Sequence, residues 1–314
     1  MIAAHADWSL DPRKRWVSIA RRRGGAWRAE APRPVGDPAA LVAELLAEGM
    51  PLAFGLDLPL GLPRGFAAGR QEADFCQFLR GLTATPEFFL VSPTLETVSP
   101  ARPFYPARGL RGMTRAAHAE ALGLEGAAAL SRWCDRATVE RPAGAPVFWT
   151  LGANQSGKAA IAAWRDWLAP ALAAGAPLRL WPFQGRLRDL LAPGVAVLAE
   201  TYPAEALRHL GIILGGSKRA PEARRAAGPG LRLAMERLRV RPSHDLSAAL
   251  DAGFGTDAPA EDRFDSLLGL LCVIGVLDGA RPDFVPEDDW VRRWEGWVLG
   301  QTALPRIAET RLGE

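Results

Sequence analysis

The 314-residue chain contains few cysteines and no long apolar run. Its three cysteines, Cys76, Cys134 and Cys272, lie far apart, and their spacing matches neither a metal site nor a redox motif. We expect them to be reduced thiols, which predicts a cytoplasmic location. No stretch reaches the roughly 18 consecutive apolar residues of a membrane-spanning helix, and the N-terminus carries no apolar signal core. The sequence therefore predicts a folded globular protein that does not enter the membrane.

The chain is equally poor in lysine, although it is rich in arginine. Only three of the 38 basic residues are lysines, Lys14, Lys158 and Lys218, and the net charge is +3. Together with the abundance of alanine, glycine and proline, this bias is typical of a GC-rich genome. A charge this small gives only weak support for binding to nucleic acid. Because 48% of the residues are hydrophobic, the chain can bury a large core in one or two domains.

The most informative stretch is residues 52–63, which read LAFGLDLPLGLP. Residues 52–56 form an apolar run, the pattern of a strand that is covered on both faces in an α/β sheet. Before it, Asp37 caps a predicted helix with leucines at helical spacing. The strand ends at Asp57, where open α/β sheets bind their ligands. Asp57 is therefore a candidate site residue, and a turn-forming aspartate is the alternative.

Three strand candidates joined by tight turns precede this helix. They cover residues 1–9, 15–21 and 26–31. Three strands, a helix and a buried strand (βββαβ) are how a ribonuclease-H-like mixed sheet begins, and this order places the first and fourth strands side by side. Asp7, in the first strand, is then a neighbour of Asp57.

Residues 65–176 change this pattern to helices and to loops rich in proline, arginine and aromatic residues. Residues 71–80 and 115–136 look helical, and no strand clearly belongs to the sheet. We interpret the stretch as a largely helical insertion in a core formed by residues 1–64 and 177–314. It is either a wall over the site or a helical cap with structural aromatic residues.

Within the insertion, Gly152, Gly157 and Lys158 match the Gly-x-x-x-x-Gly-Lys spacing of a phosphate-binding loop. The match is incomplete, because such a loop needs a hydroxyl side chain where this chain has Ala159. A glycine-containing turn that contacts a nucleic-acid phosphate is an alternative, since helix N-termini attract anions. The candidate substrate contacts in this loop are Asn154, Gln155 and Lys158.

Two later segments supply further acids. Residues 195–199 form a second apolar strand, which ends at Glu200. Residues 260–277 form a strongly apolar helix that contains Asp262 and Asp265 near its start, and residues three apart share one face of a helix. N-terminal capping is the alternative role for this pair of aspartates.

Close carboxylates repel each other and are costly to bury, so a group of them persists mainly where a cation needs it. Two magnesium ions roughly 4 Å apart are the natural partner, because hard cations prefer oxygen ligands. Such ions stabilise the attacking water and the leaving oxygen of a phosphodiester. The loop residues Lys218 and Arg219 suit contacts with phosphate, although such loops are more often solvated surface.

Seven segments, spread over nearly the whole chain, resemble the signature blocks of the ribonuclease-H-like nucleases grouped as domain-of-unknown-function family 429. In chain order they are HADWS, AFGLDLPLGLP, WTLGANQSGKAAI, LAETYPAEAL, SKR, EDRFDSLLGLL and EGWVLGQ. The resemblance implies a ribonuclease-H-like fold and a metal-dependent nuclease, with Asp7 on strand one and Asp57 on strand four. The Asp-x-x-Asp of the late helix is also similar to Holliday-junction resolvases of the same fold, and it maps onto Asp262 and Asp265.

Residues and resemblance together predict a two-metal phosphodiesterase that acts on DNA or RNA with Mg²⁺ or Mn²⁺ as its cofactor. The predicted metal ligands are Asp7, Asp57, Glu200 and Asp265. Asp262 is a further ligand or a base that orients water. The predicted phosphate contacts are Lys158, Lys218 and Arg219. Many related nucleases also bind metal through a glutamate of the first helix, for which Glu44 is the nearest residue here and Glu200 the alternative.

Two other functions stay open. The loop at 152–158 would also serve a protein that binds ATP or phosphate, since actin-like kinases share this strand order. The duplicated domain of those kinases and their glycine-rich hairpin after strand one are missing from the sequence. The second alternative is a protein of the same fold that binds nucleic acid without cleaving it, against which the intact acids argue.

Overall fold

The computed structural model describes residues 1–109, 113–151 and 156–306. Eight strands within these residues form one mixed sheet. In chain order they are β1 (Ile2–Asp7), β2 (Trp16–Arg23), β3 (Ala26–Ala29), β4 (Arg33–Pro34), β5 (Leu52–Leu56), β6 (Leu178–Leu180), β7 (Ala196–Glu200) and β8 (Val240–Pro242). Helices accompany the sheet, so the predicted α/β class is confirmed.

The strand order is β6-β7-β5-β1-β2-β3-β8, and the short β4 pairs with β2. β1 is antiparallel to β2 and parallel to β5, so the predicted contact between the first strand and residues 52–56 is confirmed. β7 pairs in parallel with the other side of β5. The carboxyl ends of β1, β5 and β7 therefore meet at one end of the sheet.

The α-helices of the described residues lie between and after these strands. They are α1 (Pro38–Leu46), α2 (Arg64–Ala67), α3 (Phe75–Gly81), α4 (Arg115–Ala121), α5 (Ser156–Ala163), α6 (Ala169–Ala173), α7 (Leu187–Leu190), α8 (Pro203–His209), α9 (Pro221–Arg237), α10 (His244–Asp251) and α11 (Ala260–Leu277). Turns of π-helix cover Trp164–Leu168 and Val291–Glu295. None of the helices in these parts of the chain has the length and apolarity that crossing a membrane requires.

Apolar side chains cover both faces of the sheet and form a hydrophobic core on each side. Along β1, Ala4 belongs to one core and Ala3 to the other, because successive side chains of a strand point to opposite faces. On the face of Ala3, α11 packs against β1, β2 and β5. This burial on both faces explains why the sequences of β5 and β7 lack polar alternation.

The stretch at 65–176 adds no strand to the sheet within its described residues. It contributes α3 to α6 and most of α2. Its aromatic side chains Phe75 and Trp164 are buried in the same core as Phe54 of β5. The stretch therefore covers one face of the sheet, and these aromatic residues are structural.

Several elements are not apparent from the sequence pattern. β6 and β8 are three residues long, too short for a recognisable alternation. α9 continues through Pro229, although its start lies where the sequence suggests a basic loop. The helix expected at 115–136 ends at Ala121, and 3₁₀ turns at Ala127–Leu130 and Trp133–Asp135 follow it.

Candidate functional site

Asp7 and Asp57 lie side by side at the carboxyl ends of two parallel strands. Asp7 is the last residue of β1, and Asp57 follows β5 directly. The Asp57 amide donates a hydrogen bond to the carbonyl of Ala6 over 3.0 Å, which continues the ladder by one residue. The two carboxyl groups are close enough for the charge of Asp57 to raise the pKa of Asp7. Asp7 is only 8% exposed, whereas Asp57 is half-buried.

α11 brings Asp265 to the same place. The helix approaches β1 closely because Gly269 faces His5, and a Cβ at Gly269 would lie 2.2 Å from atoms of the His5 ring. Asp265 lies about one turn before Gly269 on the same side of the helix and is 5% exposed. The capping role is wrong for both aspartates, because Pro259 occupies the cap position and Asp262 and Asp265 lie inside the helix.

The acids perturb one another strongly. Burial, reinforced by the charges of Asp265, Asp57 and Asp262, raises the pKa of Asp7 well above its usual range. Burial and the charge of Asp265 raise the pKa of Asp57 to about 7, although Lys218 opposes the shift. Burial raises the pKa of Asp265 to about 6, again against the influence of Lys218. Without a further cation, the site therefore holds more negative charge than its surroundings stabilise.

Lys218 is the cation that the structure places among these acids. Its ammonium group contacts Asp265 Oδ2 and lies 3.7 Å from Glu261 Oε1. Arg224 of α9 fixes the loop that carries Lys218, because it donates a hydrogen bond of 2.5 Å to the Lys218 carbonyl. Arg219 lies at the rim, where its exposed guanidinium is 3.5 Å from Glu261. The two predicted phosphate contacts therefore differ, because Lys218 contacts Asp265 of the aspartate cluster whereas Arg219 contacts only Glu261 at its rim.

One oxygen at the site has no partner. Asp265 Oδ1 is buried and accepts no hydrogen bond from the described residues. Leaving such an oxygen unpaired costs free energy unless a ligand or an ion binds it. Carboxylate oxygens from Asp7, Asp57 and Asp265 are the donor type that Mg²⁺ and Mn²⁺ prefer. The residues present therefore fit a hard divalent cation.

Glu200 is placed near Asp57 but is already engaged. As the last residue of β7 it pairs in register with Leu56, and its charge raises the pKa of Asp57. Arg132 donates to both of its oxygens, over 2.6 Å and 2.7 Å, and the Leu60 amide donates to Oε2 over 2.7 Å. We therefore correct the expectation that Glu200 binds metal. Its observed role is to anchor the backbone that follows Asp57.

Glu44 is exposed and is engaged in another contact. It is on α1 and forms a surface ion pair with Arg33 over 2.6 Å. This contact gives no support to Glu44 as the helix glutamate of a metal centre.

The phosphate-binding loop lacks the surroundings that it needs. Residues 152–155, which include Asn154 and Gln155, are outside the described residues. Gly157 packs tightly, since a Cβ there would lie 2.7 Å from the carbonyl oxygen of Val147 and 2.8 Å from that of Trp149. Residues 147–151 form none of the strands of the sheet, so the strand that precedes the loop in a nucleotide-binding motif is not seen in the described part, although α5 begins at Ser156 as the helix of such a motif would. Lys158 is half-buried on α5.

A second group of candidate ligands consists of Glu140, Glu205 and His209, whose ligand atoms lie within 4.8 Å of one another. Glu205 also forms ion pairs with Arg141 and Arg208. Burial would raise the pKa of Glu205, but the neighbouring His209, Arg141 and Arg208 lower it to about 2. Because arginines already balance its charge, this group is less suited to a cation than the aspartates are.

A cavity of about 470 Å³ opens beside the aspartates. Asp57 and Lys218 line it and are also part of the acidic site. Arg141, Tyr202 and Arg208 contribute further polar or aromatic side chains to its wall. Sequence reasoning missed these three residues. The available signal was the position of Tyr202 just beyond the end of β7, where α/β sheets bind ligands.

The chain was compared with known proteins at three levels. No family model, curated protein or solved structure matches it. The geometry of the aspartates and the adjacent cavity is the remaining indication of function.

The raised pKa values predict that the metal-free protein loses stability as the pH rises. In the unfolded chain, aspartates titrate near pH 4. In the folded protein, Asp57 keeps its proton to about pH 7 and Asp265 to about pH 6. Between about pH 4 and pH 7 the folded state binds more protons than the unfolded chain does, so raising the pH lowers the free energy of unfolding.

Asp57→Asn should reduce this loss between about pH 4 and pH 7 by more than about 1 kcal/mol. The measurement is urea unfolding in the presence of a chelator across that range. Parallel curves for the wild type and the variant would show that Asp57 does not titrate in this window.

Proposed function

We propose that the protein is a ribonuclease-H-like, metal-dependent nuclease that hydrolyses phosphodiester bonds of DNA or RNA. One observation carries this proposal: Asp7, Asp57 and Asp265 come from three different elements and converge in a buried cluster that lacks sufficient positive charge. Such clusters are costly, and they are typical of sites that bind divalent cations. Phosphodiester hydrolysis is a reaction that uses such a centre.

The three aspartates would hold Mg²⁺ or Mn²⁺, which supplies charge stabilisation to the phosphate and lowers the pKa of a bound water. Asp262 is half-buried and its charge raises the pKa of Asp7, which supports a role for it in orienting water at the edge of the site. Lys218, which pairs with Asp265, would contact an oxygen of the scissile phosphate. Glu200 and Arg132 hold the backbone after Asp57 in place.

The sheet supports the proposed fold. Its first three strands form an antiparallel meander, and a helix then leads to β5, which lies parallel to β1. Apart from the two-residue β4 between β3 and α1, this is the βββαβ order expected at the start of a ribonuclease-H-like sheet. The sequence blocks around Asp7, Asp57 and Asp265 also contribute the three central acids, so the resemblance and the geometry point to the same residues.

A cleavage assay tests the proposal. We expect Mg²⁺- or Mn²⁺-dependent cleavage of at least one substrate in a panel of single strands, duplexes, RNA–DNA hybrids and junctions. Mutating a residue that only hydrogen-bonds to a metal ligand typically costs roughly 10–100-fold in activity. Asp57→Asn changes a proposed ligand itself, so it should lower the cleavage rate by more than that.

Asp278→Asn is a matched control, because Asp278 is a buried acid at the opposite end of α11. This variant should keep the wild-type rate below its melting temperature. Absence of cleavage on every substrate with both metals would contradict the proposal. ATP turnover that depends on Lys158 would instead favour the phosphate-binding alternative.

A further inference from the structure

The cavity beside Asp57 has the size of a small-ligand site. Its volume is about 470 Å³, within the roughly 300–1,000 Å³ that is typical of such pockets. It extends from Asp57 and Lys218 between residues 142–145 and the first turns of α5 and α8. A ligand in this cavity would therefore lie directly beside any phosphodiester bound at the aspartates.

One part of the cavity wall is aromatic and apolar. Tyr202 is half-buried, and its hydroxyl donates a hydrogen bond to Asp135 over 3.0 Å, which fixes the ring. The Arg141 guanidinium lies 5.8 Å from the centre of this ring. Pro59 and Pro142 extend the apolar surface. A fixed aromatic ring bordered by prolines is suited to contact with a nucleobase, because every base presents a stacking face.

Another part of the wall is cationic. Arg208 lines the cavity with a side chain that is 37% exposed, and its guanidinium lies 3.2 Å from Glu205. Arg141 and Lys218 add two further positive charges, against the acids Asp57 and Glu205. Lys218 already pairs with Asp265, so with Asp57 assigned to the proposed metal the wall has two arginines, Arg141 and Arg208, against the single acid Glu205. Arginine binds phosphate well, since its planar guanidinium offers several donors.

We propose that this cavity receives one unpaired nucleotide of the substrate strand, with its base against Tyr202 and its phosphate near Arg208. The inference rests on the proposed nuclease function, since it places this nucleotide beside the phosphodiester that is cleaved. A nucleotide stacked and paired in a duplex cannot enter so small a space without leaving the helix. The enzyme should therefore prefer single strands, strand ends or unpaired nucleotides to continuous duplex.

Mononucleotide binding tests this inference without requiring cleavage. The probes are dTMP and UMP, titrated calorimetrically into the full-length protein in the presence of Mg²⁺, and the difference between them reports the combined effect of the 2′-hydroxyl and the 5-methyl group. Arg208→Gln should weaken binding of the preferred probe by about tenfold or more, because a charged hydrogen bond to phosphate is lost. Arg208→Lys should restore part of the affinity, since it keeps the charge.

Two controls separate recognition from folding. Arg232→Gln changes an arginine of a different cavity, beside β8, where it pairs with Asp251, and it should leave dTMP and UMP affinity unchanged. At the aromatic wall, Tyr202→Leu should weaken binding about tenfold because stacking is lost, whereas Tyr202→Phe keeps the ring and should retain most of the affinity.

The outcomes distinguish nucleotide binding in the cavity from the proposed nuclease function. If nucleotide binding depends on Arg208 but the protein cleaves no substrate, the result would support nucleotide binding in the cavity and contradict the proposed nuclease function. Cleavage of single strands and duplexes at equal rates, with the same mononucleotide affinity for Arg208→Gln and Arg232→Gln, would contradict nucleotide binding in the cavity. It would leave the proposed nuclease function unaffected. Failure of both mononucleotides to bind at millimolar concentration would also overturn the cavity assignment.

Discussion

Asp7→Asn should raise the melting temperature of the metal-free protein and abolish its stabilisation by magnesium. Asp7 is 8% exposed, and burial together with three neighbouring aspartates raises its pKa well above the usual range. Asparagine removes the charge that the folded site disfavours, so the metal-free form gains stability. It also removes a proposed ligand, so magnesium should no longer bind tightly.

The effect is large enough to measure. At a free Mg²⁺ concentration a hundredfold above Kd, binding stabilises the wild type by about 2.7 kcal/mol. The measurement is thermal unfolding of both proteins at about pH 8 with chelator or with Mg²⁺. In the variant, the two curves should coincide.

Asp278→Asn is the control for this experiment. Asp278 also belongs to the α11 region and has a side chain that is 6% exposed, but it accepts a hydrogen bond from Trp27 and pairs with Arg22 far from the site. Its replacement should cost stability equally with and without Mg²⁺. If Asp7→Asn also lowers stability equally in both conditions, Asp7 has a structural role and is no ligand.

Arg132→Met should destabilise the protein by about 3–5 kcal/mol, the cost of breaking a buried ion pair by removing one partner. The Arg132 side chain is fully buried and donates to both Glu200 and Asp135. Methionine fills a similar volume but leaves two buried carboxylates without their cation. Urea unfolding at neutral pH measures the loss.

Arg165→Met provides the surface comparison. Arg165 pairs with Asp166 over 2.6 Å, but both side chains are nearly half exposed, so the change should cost less than about 1 kcal/mol. If Arg132→Met costs as little as Arg165→Met, the buried network does not anchor Glu200. Glu200 would then again be a candidate metal ligand.

The acidic site was largely predictable because its residues end strongly patterned elements. The apolar run before Asp57 indicates a strand buried on both faces, and the meander before it places Asp7 on the neighbouring strand. Asp265 precedes a helical stripe of apolar residues, which indicates that it faces the core. In each case, local periodicity determines where the side chain points.

Glu200 shows where such reasoning fails. It ends an apolar strand just as Asp57 does, and local sequence cannot distinguish the two. The difference is Arg132, which lies 68 residues earlier in the helical stretch and reaches Glu200 only through the tertiary fold. The cavity residues Arg141 and Arg208 were missed for the same reason, since neither belongs to a motif and only packing brings them beside Asp57.

In the proposed nuclease, Asp7, Asp57 and Asp265 form a divalent-metal centre. Its most direct test is a crystal structure of the wild-type protein grown with Mn²⁺, with anomalous scattering recorded at the manganese edge. We predict an anomalous peak in contact with carboxylate oxygens of these three aspartates, including Asp265 Oδ1. A map without a peak there, or with manganese only at Glu140, Glu205 and His209, would contradict the claim.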